Sequence, residues 1–252
     1  MGVVEVTVPK YGTTASECQA APLPEGSNGS YHRHIFGQRA DPEATHSAAS
    51  TGAFGPFVDE CPPLSDADIR AAMVSGAFAG LAERDGVLEE VECWRGYVRA
   101  DYVCISANAL SIIEIKSDRD TLRRFDEQLR VYNAVADRVT LVVGWNLAAH
   151  ALRAAPWWWD VVLVERETTS DVRFVPLRDG AQNPDVSAGA LVAMLPTEEV
   201  RRLARATDES FGRLRGRELR QVVADHVSRD DLRVAVRKWL GGRTQQRTGI
   251  VS

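Results

Sequence analysis

Residues 87–116 constrain the fold more than any other stretch of this chain. They hold three strand-like runs, VLEEVECW (87–94), YVRADYVCI (97–105) and ALSIIEIK (109–116), rich in β-branched and aromatic residues. Only RG and SAN join them. Links this short cannot carry a crossover, so the three runs must form antiparallel hairpins in a meander. The third run sets a second constraint. Glu114 and Lys116 stand among Ile112, Ile113 and Ile115, and a charge inside an apolar strand is costly unless something compensates it. Two apart on a strand, the pair leaves on one side. It reads either as a structural ion pair or as the edge of an active site.

The flanking segments complete a mixed α/β pattern. Upstream, PPLSDADIRAAMVSGAFAGL predicts a helix. Ser65 and Asp68 make its capping arrangement, and Ile69, Met73 and Ala77 its apolar stripe. Downstream, Ser117 and Asp118 are expected to cap a helix, with Asp120 in its first turn. Leu122, Phe125, Leu129 and Tyr132 give that helix a core-facing face. RVTLVVG (138–144) is a fully apolar run, expected as a central strand parallel to its predecessor after the crossover helix. A further helix stopped by Pro156 follows, then two strand-like runs, DVVLVE and VRFVPL. From about residue 186 the pattern is helical, through AGALVAML, TEEVRRLARA, GRELRQVVADHV and DDLRVAVRKWL, the last ended by Gly241 and Gly242. The expected organisation is a flexible N-terminal leader (1–64), an α/β domain (65–180), a helical C-terminal region (186–243) and a tail (244–252).

Charge and composition narrow the function classes. The formal net charge of −5 over 252 residues argues mildly against nucleic acid as a partner. Residues 196–252, however, carry thirteen Arg/Lys and eight Asp/Glu, a net of +5, so the remainder carries −10. A basic C-terminal region on an acidic body suits nucleic-acid binding; it suits an arginine-rich helical surface equally. Lysine occurs only at Lys10, Lys116 and Lys238, so a lysine within a strand stands out against arginine as the default cation. No run reaches membrane-span length and the first residues lack a signal-peptide pattern, so no membrane partner and a cytoplasmic setting are expected. Cys18, Cys61, Cys93 and Cys104 form no framework, as in a reduced protein. His32 and His34 with Cys18 and Cys61 have the spacing of no common zinc site.

The meander brings its charged residues together. Asp101 lies in the second strand and Glu114 in its neighbour, so a hairpin can set them side by side. Two carboxylates and a backbone carbonyl form a hard-oxygen site suited to Mg²⁺ or Mn²⁺. Lys116 on the same side can orient a water or offset charge on a phosphate, which is phosphodiester-hydrolysis chemistry.

The run RADYVCI…SIIEIKSD, followed by a helix and VTLVVG, resembles the PD-(D/E)xK nuclease superfamily. QLRVY (128–132) resembles the Gln-x-x-x-Tyr element of its RecB-like branch. A longer likeness, over about residues 65–165, is to small bacterial and phage proteins of the pattern E…RADI…EIKSDxDTLxRLxxQxxxYxxVFDRVTLVVG. The resemblance implies a restriction-endonuclease-like core (helix, three-stranded meander, helix, strand) with a C-terminal helical appendage. It implies a Mg²⁺- or Mn²⁺-dependent deoxyribonuclease with DNA as partner, in repair, defence or a mobile element. The alternative is a catalytically inactive relative that binds nucleic acid or serves assembly. Asp101 takes the first acidic position and Glu114 and Lys116 the paired one. Gln128 and Tyr132 share one helix face, from which both reach the strand ends and a DNA backbone. The metal ligands are Asp101, Glu114 and the Ile115 carbonyl. An earlier acidic residue is assigned to Glu90 by spacing, with Glu89 and Glu92 as alternatives. Arg99 is read as a phosphate contact or as the partner of Asp101, and Trp157, Trp158 and Trp159 as base-stacking residues or, in preference, as packing at the start of a strand. Asp160 departs from the pattern, where those relatives carry Gly after the tryptophans.

Overall fold

The computed structural model describes residues 62–74, 86–94, 96–166 and 171–248. The expectations for residues 1–61 and for Ala77 lie outside the described residues. Helix α1 (Asp66–Ala72) opens on the expected capping box: the Asp68 N–H donates to Ser65 Oγ and the Ser65 N–H to Asp68 Oδ2. Ile69 and Met73 are buried, as the stripe requires. Leu64 is buried with them, so the core reaches into the end of the segment expected as leader.

Strands β1 (Gly86–Cys93), β2 (Val98–Ile105) and β3 (Leu110–Lys116) form the antiparallel meander. Helix α2 (Phe125–Val135) crosses over to β4 (Arg138–Gly144), which pairs parallel with β3. Helix α3 (Trp145–Ala154) repeats the crossover to β5 (Asp160–Arg166), and β6 (Val172–Arg178) closes the sheet antiparallel. Strand order equals sequence order, β1-β2-β3-β4-β5-β6. β4 is buried along nearly its whole length because both its faces are covered. Pro176 sits in the outermost strand, where its missing N–H is tolerated.

Two corrections concern helix ends. The helix after β3 begins at Phe125, without a side-chain cap, and not at Ser117. Residues 117–120 form a turn in which Asp120 Oδ2 accepts from the Ser117 N–H and Oγ, both at 2.7 Å. Asp118 serves a different helix, accepting the Asn146 N–H at the start of α3. Gly144 is what permits that approach: a Cβ there would lie 2.4 Å from Asp118 Oδ1 and 2.8 Å from its backbone nitrogen. At the C-terminus, the last helix does not stop at Gly241 and Gly242 but runs on to Thr248. Glycine weakens a helix by about 1 kcal/mol but ends one only where a left-handed residue is needed.

The C-terminal helices α4 (Ala188–Met194), α5 (Thr197–Thr207), α6 (Gly216–His226) and α7 (Arg229–Thr248) are not an appendage. Leu219, Val223, Leu232, Val236 and Leu240 bury into the same core as Leu88, Val103 and Ile112 of the meander. The meander presents a broad apolar face, and α2 and α3 leave part of it to be covered by these helices. Asp137, 2% exposed, locks the arrangement. Its Oδ2 accepts the Leu110 N–H at 2.7 Å, Arg233 Nε stands 2.9 Å from Oδ1, and Arg237 stands 3.7 Å from Oδ2. The opposite sheet face is a smaller core of Tyr102, Cys104, Ile113, Ile115, Val142 and Val164 under Leu64, Ile69 and Met73. Among the described residues no helix is long and apolar enough to cross a membrane.

Candidate active site

The site forms where the sheet ladders break. β1 and β2 pair Glu89 with Tyr102 and then Val91 with Ala100, skipping Glu90 and Asp101. β2 and β3 pair Ile105 with Leu110 through to Tyr102 with Ile113, then stop one step before Asp101 and Glu114. The alternation of side chains shifts at the same place. Val98 and Ala100 face the larger core, and so do Val103 and Ile105, although their parity is opposite. Glu90 carries the distortion as a left-handed residue, φ 52°, a conformation that costs roughly 1–2 kcal/mol without a glycine. Asp101 is thereby released from ladder pairing. Its Oδ2 accepts the Ile115 N–H at 2.7 Å, so a side chain replaces a backbone partner.

Glu114 points to the α2 side of β3 and is 2% exposed. Lys116 Nζ lies 2.5 Å from its Oε1, as same-side projection requires. Gln128 Nε2 donates to that same oxygen, and the Tyr132 hydroxyl donates to Oε2 at 2.6 Å. Gln128 and Tyr132 do share a helix face, but that face is buried against Glu114 and does not open toward a nucleic-acid backbone. Tyr132 is held by Trp159, whose indole N–H is fixed in turn by Asn133 Oδ1 at 2.9 Å.

Asp101 is approached from the other face. Arg70 of α1 lies with Nη2 2.5 Å from Asp101 Oδ1 and 2.9 Å from Glu90 Oε1, and its Nε 2.6 Å from Asp66 Oδ2. The guanidinium carbon sits 5.0 Å above the Tyr102 ring. Arg99 pairs with Glu90 at 2.6 Å, so its partner is not the expected Asp101. Through Arg70, Glu90 is tied to Asp101, which sets it apart from Glu89 and Glu92. Arg70 was not legible in the sequence as a site residue. Its one local signal was an i,i+4 pair with Asp66, which marks many solvated helices.

The electrostatics follow from burial and proximity. Burial, reinforced by the Asp101 charge, pushes the Glu114 carboxyl from 4.5 to about 7, against the pull of Lys116 and Tyr132. Burial also raises Asp101, opposed by the Ile115 N–H, Arg70 and Lys116. Burial and the neighbouring Glu114 hold the Tyr132 hydroxyl protonated far above its ordinary range. Burial works against the Arg70 charge, but its carboxylate partners outweigh it and keep the guanidinium firmly protonated.

Glu114 is buried and Asp101 partly buried, and the two repel each other while each is paired with a cation of the protein. Their hard-oxygen donors suit Mg²⁺ or Mn²⁺ in kind. Gln128 turns its Nε2 to Glu114, and its buried Oε1 has no hydrogen-bond partner. Among the described residues no three His, Cys, Asp or Glu side chains stand close enough to hold a metal as they lie. The carboxylate oxygens of Asp101 and Glu114 all meet protein donors, with Arg70 the cation on Asp101 and Lys116 the cation on Glu114.

Of the three tryptophans read as packing residues, two pack and Trp157 does not. Trp158 and Trp159 are buried and Trp157 is exposed. Asp160 begins β5, is buried, and accepts the Gly180 N–H at 2.8 Å, tying the segment after β6 to the sheet.

Residues 66–250, from α1 through α7 and including every site residue above, match the family model described as bacteriophage P4 protein cII. The chain belongs to this family. Protein cII of Enterobacteria phage P4 is 24% identical over 172 residues, which are 68% of this chain and 64% of that protein. The chain thus spans a little under two thirds of this family member's length. Among solved structures, a protein of unknown function from Silicibacter pomeroyi is similar over 51% of this chain and 84% of its own, with 22% identity and a TM-score of 0.31.

Proposed function

We propose that this cII-family chain is a metal-dependent nuclease that hydrolyses DNA phosphodiester bonds, built on a restriction-endonuclease-like core of the PD-(D/E)xK superfamily. One observation carries the reading. Asp101, Glu114 and Lys116 meet where the sheet ladders break, and Gln128 and Tyr132 brace Glu114 from behind. A purely structural ion pair has no use for a second, partly buried carboxylate, whose charge raises the energy of the first. In this reading Tyr132 and Gln128 are positioning residues that fix the Glu114 carboxylate. Lys116 places the attacking water and offsets the charge that builds on phosphorus. A bound Mg²⁺ or Mn²⁺, held by Asp101, Glu114 and the Ile115 carbonyl, would supply Lewis acidity toward phosphate and water. Exposed arginines of the C-terminal helices, such as Arg202, Arg205, Arg213, Arg215 and Arg217, would contact phosphates. Others are engaged internally: Arg201 and Arg220 donate to backbone carbonyls, and Arg233 and Arg237 hold Asp137. Kinship with a phage protein favours a mobile-element setting over repair.

A second reading, a nuclease-fold module that binds nucleic acid without cutting, is favoured by one feature: protein donors already engage both carboxylates. Incubation of the full chain with single- and double-stranded DNA, with and without Mg²⁺ or Mn²⁺, separates the two. Metal-dependent cleavage that is lost in Lys116→Ala supports the nuclease. DNA binding without cleavage under any metal supports the module.

A further inference from the structure

We infer that Arg70 is a partner-exchanging residue of the site: its guanidinium stands in for the cation on Asp101, and when a divalent cation takes that carboxylate it turns to a phosphate oxygen of the nucleic acid. The inference rests on the nuclease reading above. Three carboxylates, Asp66, Glu90 and Asp101, converge on this one guanidinium. The Tyr102 ring beneath it fixes its plane, and a side chain only 21% exposed leaves little freedom elsewhere. Nη2 lies 2.5 Å from Asp101 Oδ1, so a cation binding this carboxylate competes with the guanidinium for it.

The local charge balance gives the direction of exchange. The ion pairs linked through Arg70 hold three carboxylates, Asp66, Glu90 and Asp101, against two cations, Arg70 and Arg99, which leaves −1, and the Glu114–Lys116 pair beside them balances itself. Adding a divalent cation turns −1 into +1. A phosphodiester, with its single negative charge, restores neutrality. The planar fork of arginine suits two phosphate oxygens as well as it suits two carboxylates.

The test uses the full chain and Mn²⁺ as probe, with Arg70→Gln and Arg70→Lys, folding being checked by circular dichroism. Lysine keeps a charge and a good helix former but cannot bridge three carboxylates, so it covers the case in which Arg70→Gln fails to fold. By calorimetry both variants should bind Mn²⁺ more tightly than wild type, Arg70→Gln by about tenfold. In a Lys116→Ala background that suppresses cleavage, Arg70→Gln should bind a short DNA duplex in Mn²⁺ about tenfold more weakly. Mn²⁺ affinity equal to or below wild type in both variants overturns the inference, as does unchanged DNA affinity. If wild type cleaves DNA in either case, the nuclease reading stands without it. If neither wild type nor variant binds Mn²⁺, the inference falls together with the cation assignment.

Discussion

Replacing Glu114 by glutamine should change the pH dependence of stability in a direction and by an amount the structure sets. Burial and Asp101 raise this carboxyl from 4.5 to about 7 in the folded chain. A raised folded value means that the folded state holds the proton more tightly than the unfolded state. The stabilisation is therefore complete below the unfolded value and is lost as pH rises through the folded one. At about 1.4 kcal/mol per pH unit, the wild type loses about 3 kcal/mol between about pH 4 and pH 8 through this one group. The attraction of Lys116 is already contained in that value, because it acts on the charged form alone. Glutamine does not titrate. It keeps an acceptor for the Tyr132 hydroxyl, and Gln128 can turn its unpartnered Oε1 toward the new amide. Urea unfolding of both proteins across this pH range measures the difference. Glu114→Gln should gain on wild type by about 3 kcal/mol from acid to mildly alkaline pH, most of it between about pH 5 and 7. A difference that stays flat refutes the reasoning. One that falls with pH would mean a carboxylate stabilised in its charged form by Lys116.

Lys116→Ala should lower DNA cleavage by about a hundredfold or more while leaving DNA affinity nearly intact, since its interaction is made mainly in the transition state; cleavage at the wild-type rate would remove it from catalysis. Asp137→Ala removes the buried partner of Arg237 and of the Leu110 N–H and leaves Arg233 with Asp230 alone. It should lower stability by about 3–5 kcal/mol and the melting temperature by about 10 °C; a shift near zero would show that α7 is held by apolar packing alone. Changing exposed Arg213, Arg215 and Arg217 together to glutamine should weaken DNA binding and flatten its salt dependence, by about 0.9 in log–log slope for each phosphate left without its arginine. An unchanged slope would make these arginines a solvated surface.

Much of the site was legible because it depends on spacing within single elements. Links of two and three residues allow nothing but hairpins, so Asp101 and Glu114 had to lie on neighbouring strands. A separation of two placed Glu114 and Lys116 on one side, and a separation of four placed Gln128 and Tyr132 on one helix face. The fully apolar run at 138–144, following a crossover helix, put β4 parallel beside β3. Capping was legible where it is local, as at Ser65 and Asp68, and misread where the partner is distant, as at Asp118, which caps a helix 28 residues on.

What tertiary structure alone decided is how these elements close on one another. The skipped pair at Glu90 and Asp101 frees a carboxylate from its ladder, and no residue pattern announces it, because the left-handed position is filled by glutamate and not by glycine. Arg70 reaches Asp101 across 31 residues from a helix on the opposite face, and Asp137 joins Leu110 to Arg233 and Arg237 through the core. Local sequence sets periodicity and the side on which each charge emerges, since those follow from the geometry of one strand or one helix. Which charges then share a partner is settled only by burial, because each carboxylate removed from water takes whatever cation or donor the packed chain brings within reach.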